Sequence, residues 1–245
     1  MIYILFALPV VALLSPAEAL AQVPGLEALV PPGEGTASGR ILQLVIIITV
    51  LSVAPGLLIM VTCFTRFVIA LSFLRTGLGL QTTPANLILI SLALFMTFYV
   101  MAPTFDQAWH NGLRPLVENR IGEQEAYQRI TAPFRTFMRA NVREKDLSLF
   151  EELAGQERTA TPSEEIELRV LIPAFMISEL RRAFEIGFLI VLPFLVIDII
   201  VATLTMSMGM MMLPPTVISL PFKILFFILI DGWNLLIGGL IRSFH

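Results

Sequence analysis

The chain has 245 residues, 56% of them apolar and only 14% charged, against about a quarter charged in a soluble domain. Its formal net charge of -3 comes without the clustered Lys and Arg that neutralise phosphates, which excludes a nucleic-acid binder. One cysteine, Cys63, excludes a disulfide framework or a paired-cysteine metal motif within the chain.

The first element is an apolar run over 2–14, followed by Ser15-Pro16 and Ala19-Leu20-Ala21. Residues 1–21 read as a signal peptide cut before Gln22, although no Lys or Arg precedes the run; an uncleaved anchor is the alternative. The Pro/Gly-rich stretch 22–40 reads as a flexible lead-in.

Four apolar blocks follow. The first, 41–61, would be about 31 Å long as a helix, enough for a hydrocarbon core of about 30 Å. Pro55-Gly56 predicts a kink or break, and apolar sequence resumes past Arg66. The second, 86–102, is bracketed by Pro84 and Pro103. Residues 41–103 are thus predicted as a first membrane hairpin.

The segment 104–169 holds nine of the 16 basic and twelve of the 19 acidic residues, and is predicted to be a soluble helical insertion. Phe134, Phe137, Met138 and Val142 fall at helical spacing, as do Leu149, Phe150 and Leu153. Phe134, Phe137 and Phe150 are the expected packing residues. A polar linker over 155–163 leads to a helix start at 162–165.

The third block runs over 170–204 and the fourth over 217–241, the latter about 37 Å as one helix. Pro214 and Pro215 forbid a helix through the Met-rich stretch between them, so 170–245 reads as a second hairpin. The expected fold is an all-α membrane protein of about four helical blocks, some kinked, with a soluble insertion. A signal peptide would place the insertion outside the cytoplasm and the connection 75–84 inside, with Arg66 and Arg75 nearby in the positive-inside sense.

Charges within the apolar blocks ask for partners: Glu179, Arg181, Arg182, Glu185, Asp198, Lys223 and Asp231. Each would cost about 2.5–3.5 kcal/mol alone at a bilayer centre. Glu179 with Arg182, and Arg181 with Glu185, have pairing spacing but lie on different sides of a helix. That favours neighbours on both sides, as in a ring of subunits; a membrane-surface location with solvated charges is the alternative. Lys223 and Asp231, eight residues apart, should each meet a partner on another helix, and for Lys223 an acid on another subunit is expected. Met206, Met208, Met210, Met211 and Met212 cluster on the turn. Methionine is soft and adaptable, which suits a deformable constriction as well as a subunit contact.

Gly-x-Ser-x-Gly, His-Glu-x-x-His, the phosphate-binding loop and Cys-x-x-Cys are absent from the sequence. No enzyme and no cofactor are expected. Asp198 and Asp231 are a conceivable aspartyl pair but sit in no protease motif. A small-solute transporter would require repeat symmetry that the sequence lacks.

Two stretches carry a resemblance. Pro173-Ala174-Phe175-Met176-Ile177-Ser178-Glu179-Leu180 is followed after six residues by Gly187-Phe188. Pro221-Phe222-Lys223 is followed after five apolar residues by Leu229-Ile230-Asp231-Gly232-Trp233. Both are similar to signatures of the FliP family, as are the Met-Met-Met-Leu-Pro-Pro turn and the run 73–81. The resemblance implies a pore-forming subunit of the flagellar type III export gate. It would form a homo-oligomer with FliQ and FliR beside FlhA, FlhB and FliO, passing unfolded flagellar proteins across the inner membrane at the basal body. It further implies that the methionine turn is a gasket, that Glu179 acts in subunit assembly, and that Lys223 pairs with a neighbour. Arg182 and Asp231 join them as expected inter-subunit charges. Family members assemble largely above the bilayer plane, so the apolar blocks need not all span lipid. The homologous subunit of virulence-type secretion is the alternative, and residues 1–40 favour the flagellar branch.

Overall fold

The computed structural model describes residues 58–80, 82–155, 166–209 and 214–244, with scattered positions between 45 and 56. The expected signal peptide, lead-in, Pro55 kink, helix start at 162–165 and Met210, Met211 and Met212 lie outside these residues. The chain divides into two compact units, Met1–Ala54 and Pro55–His245. In the first, Thr49 Oγ1 donates to the Val45 carbonyl one helical turn back, at 2.7 Å.

The second unit is built of helices. They are α1 (Phe64–Gly77), α2 (Asn86–Ala108), a π-helical turn (Trp109–Leu113), α3 (Arg114–Val117), α4 (Glu123–Asn141), α5 (Glu144–Leu153), α6 (Leu168–Ser207), α7 (Pro215–Leu229) and α8 (Gly232–Arg242). Among the described residues two stretches are long and apolar enough to cross a membrane, Asn86–Val117 and Leu168–Ser207; α7 with α8 makes a third if that bent pair counts as one span. At 1.5 Å per residue the 40-residue α6 is about 60 Å long, twice a hydrocarbon core.

Helix α1 is apolar apart from Thr65, Arg66, Ser72, Arg75 and Thr76, and most of it is buried. Phe67, Ala70 and Leu71 are fully buried, packed with Leu89, Ala93, Met96 and Met101 of α2 and Leu240 of α8. Its other side lies along α6. Phe73 stacks edge-on against Phe184 and fills the space over Gly187, where a Cβ would come within 2.3 Å of the ring. Further along, Gly77 meets Val191 and Phe194. The contacts advance in the same direction on both helices, so α1 and α6 run parallel. Parallel neighbours need a long crossover, and α2 to α5 supply it.

The amphipathic α4 and α5 close one end. Phe134 meets Phe105 of α2 edge-on, with centroids 5.8 Å apart. Met138, Val142 and Leu147 form a second core with Val170, Leu171, Ala174 and Phe175 at the start of α6, and Phe134, Phe137 and Phe150 pack against it. Leu149 and Leu153 stay exposed.

Two expectations on element ends are corrected, on the second and fourth blocks. Pro103 does not end the second block: α2 runs through it to Ala108, as membrane helices tolerate proline where neighbours and local adjustments satisfy the freed backbone. Among the described residues the break after the first block falls at Thr62-Cys63, directly before α1. The fourth block is not one helix. It bends by 65° between α7 and α8, where Asp231 adopts a left-handed φ of 51°. Gly232 then lies so close to Phe227 that a Cβ would stand 2.2 Å from its ring. The turn after α6, by contrast, follows from its residues: Gly209 has φ of 72°, and α7 starts on Pro215, whose missing N–H costs nothing at a first helical position.

Candidate functional site

Of the charges expected against other subunits, Glu179, Arg182, Lys223 and Asp231, two already have partners within the chain: Glu179 and Lys223. Glu179 on α6 is fully buried and faces Arg66 on α1, also fully buried. Arg66 Nε donates to Glu179 Oε2 at 2.8 Å, and Nη2 pairs with Oε1. The third nitrogen, Nη1, donates to the Ser243 carbonyl at 3.0 Å and to Ser243 Oγ at 2.9 Å. The Phe244 ring covers the guanidinium, with Cζ 3.5 Å from its centroid. This planar fork with a ring over its face is a geometry that only Arg can make. Arg66 is therefore a core cation and not a surface charge beside the 75–84 connection. Arg182, the expected partner of Glu179, is half-buried one turn on.

The ion pair joins three remote parts of the chain. Phe244 stacks on Phe137 of the insertion at 6.0 Å, and Phe137 meets Phe175 of α6 edge-on at 5.9 Å. Beside it, Ser178 Oγ donates to Asp146 Oδ2 at 2.8 Å and accepts from the Arg143 backbone N–H at 3.1 Å. Asp146 is buried and lies in the first turn of α5, where its carboxylate also suits the helix dipole. The insertion is thus fastened to the same stretch of α6 by stacked rings and by a buried polar bridge. Phe137→Ala should lower the stability of the detergent-solubilised chain by about 3 kcal/mol, the low end for removing a phenyl ring from a core, because Phe137 is only partly buried. A lowered thermal midpoint checks this; an unchanged one would make the ring a bystander.

The second pair closes the opposite end of α1. Lys223 of α7 is 5% exposed. Its Nζ lies 2.6 Å from Asp198 Oδ2 and donates to the Gly77 carbonyl at 3.1 Å. Ser219 Oγ donates to Asp198 Oδ1 at 2.6 Å. One ammonium thus satisfies a carboxylate on α6 and a carbonyl at the C-terminus of α1, where positive charge is favourable. The other charges lie outward. Arg181 Nε and Glu185 Oε1 form an exposed bridge at 3.0 Å. Asp231 sits exposed at the α7–α8 bend and accepts from Asn234 Nδ2 at 3.2 Å. Asp198 and Asp231 are thus separately engaged, which leaves the aspartyl-protease alternative without support.

Met206 and Met208 stand at the end of α6, 67% and 70% exposed. Much of the apolar surface of α2, α6 and α7 is likewise open, including Phe95, Phe188, Ile199, Ile228 and Leu229. Exposed apolar area on that scale needs lipid or protein to cover it.

Comparison with known proteins gives one answer. The model of the FliP family matches residues 47–240. The flagellar biosynthetic protein FliP of Rhizobium meliloti (strain 1021) is 64% identical over 214 residues, covering 87% of each chain. That of Bacillus subtilis (strain 168) is 52% identical over 202 residues, 82% of this chain and 91% of the relative. That of Aquifex aeolicus (strain VF5) is 42% identical over 236 residues, 96% of this chain and 98% of the relative. Matched nearly end to end by relatives of such different origin, the protein belongs to the FliP family.

Proposed function

We propose that the chain is a pore-forming subunit of the flagellar type III protein export gate, passing unfolded flagellar proteins across the bacterial inner membrane. Membership of the FliP family over most of its length carries this reading. The apolar surface left open by a single chain supports it, since a gate of several copies with FliQ and FliR would cover such faces. Arg182 and Asp231, which have no carboxylate or cation bonded to them among the described residues, are the charges that suit neighbouring subunits. Glu179 and Lys223 act in assembly indirectly, by fixing the shape of each protomer.

In this reading the methionine turn is the seal. A ring of such turns would present unbranched, polarisable side chains to the pore axis, closing it to ions by dewetting yet yielding to a polypeptide. Changing Met208, Met210, Met211 and Met212 together to Ala should leave Pro214 and Pro215 to form the turn while widening the constriction. Cells carrying that variant should show raised ion conductance with the complex intact. A variant that assembles normally and admits no more ions than the parent would remove the gasket role. Normal secretion of hook and filament proteins in cells lacking the chain altogether would remove the gate reading itself.

A further inference from the structure

We propose that the cavity between the α1–α2 turn and the α7–α8 bend holds one acyl chain of an anionic phospholipid whose phosphate rests on Arg75. The cavity measures about 290 Å³, close to the lower end of small-molecule sites. Leu78, Leu80, Ile224, Phe227, Ile228 and Trp233 are among the residues of its largely apolar wall. Water in such a space finds too few polar partners, and walls facing a void forfeit their dispersion contacts. An apolar occupant resolves both.

The charge at the rim selects which apolar occupant. Arg75 lines the cavity together with Thr83, and its Nη1 bonds Asn86 Oδ1. Among the described residues no carboxylate pairs with it. The other cation at this end of the bundle, Lys223, is neutralised by Asp198, so Arg75 is the local excess positive charge. A guanidinium whose remaining N–H groups have no other partner among the described residues presents a fork that fits phosphate oxygens. A hydrophobic side chain from a neighbouring protein would fill the cavity but leave that charge unanswered; a phospholipid answers both. Trp233, which also lines the cavity and is 41% exposed, is amphipathic in the way of tryptophans at lipid interfaces.

Trp233 also supplies the probe. The chain has two tryptophans, so Trp109→Phe leaves Trp233 as the sole indole emitter. The full chain would be reconstituted in vesicles containing brominated phosphatidylglycerol or brominated phosphatidylcholine, whose bromines quench indole at contact range. Trp233 should be quenched by the anionic lipid with about tenfold higher apparent affinity, the worth of one charge-assisted hydrogen bond. Arg75→Gln should reduce phosphatidylglycerol to the level of phosphatidylcholine. Arg75→Lys, which keeps the charge and loses the fork, should retain an intermediate preference. Equal quenching by the two lipids in the parent overturns the proposal, as does a preference that survives Arg75→Gln. Absence of quenching by either lipid shows that no lipid reaches the cavity, and overturns it as well.

Discussion

Glu179→Ala should destabilise the protomer by about 3–5 kcal/mol, the cost of leaving one member of a buried ion pair alone. The removed carboxylate strands a fully buried guanidinium that keeps only its Ser243 bonds and the Phe244 ring. Such a loss is a large part of the roughly 5–15 kcal/mol that holds a domain together. The expected readout is loss of the chain from membranes and a fall in thermal midpoint after solubilisation. Arg66→Ala should do comparable damage from the other side. The double change Arg66→Met with Glu179→Leu should recover much of the loss, because apolar replacement of a buried pair is often neutral or better. If Glu179→Ala chains accumulate and melt as the parent does, the pair contributes nothing to the fold.

Lys223→Glu is expected to be nearly as severe. It places a carboxylate against Asp198 and withdraws the donor from the Gly77 carbonyl. Asp198 keeps 28% of its side chain exposed, so about 3 kcal/mol, the low end for breaking a buried pair, is the expected loss. The informative experiment is the reciprocal swap. Lys223→Glu with Asp198→Lys should restore gate assembly when both changes lie in one polypeptide. It should fail to do so when the two single variants are produced together as separate chains. Rescue by the mixture would show that the pair forms between protomers.

The Lys223–Asp198 contact was within reach of the sequence. Asp198 lies nine residues before the end of α6 and Lys223 eight after the start of α7, about 13 and 12 Å from the two ends of the turn. An antiparallel hairpin brings such positions level, so the hairpin predicted from Pro214 and Pro215 already implied the partner. Arg66 with Glu179 left no comparable signal. The two are 113 residues apart, and the local rule offered Arg182 one turn away instead.

Proline was informative in one place and misleading in another. Pro215 started a helix because it stands at a first position. Pro103, Pro173, Pro193 and Pro221 all lie within helices, where packing and apolar surroundings outweigh one missing hydrogen bond. The real break, at Asp231, is carried by a left-handed non-glycine residue and by the fit of Phe227 on Gly232. The spacing of the insertion phenylalanines was legible because α4 and α5 are two-faced, and only one face has anything to pack against.

The distances along the chain between the members of the Arg66 cluster also set a schedule. A ribosome adding about 5–20 residues per second takes roughly 6–23 s to produce Glu179 after Arg66, and longer to reach Ser243, 177 residues on. Throughout that interval the guanidinium is a cation without a counter-ion, on a helix whose final surroundings have not yet been synthesised. Releasing α1 into hydrocarbon so early would cost about 2.5–3.5 kcal/mol on the lenient insertion scale. Polar surroundings for Arg66 until α6 emerges beside it would avoid that cost.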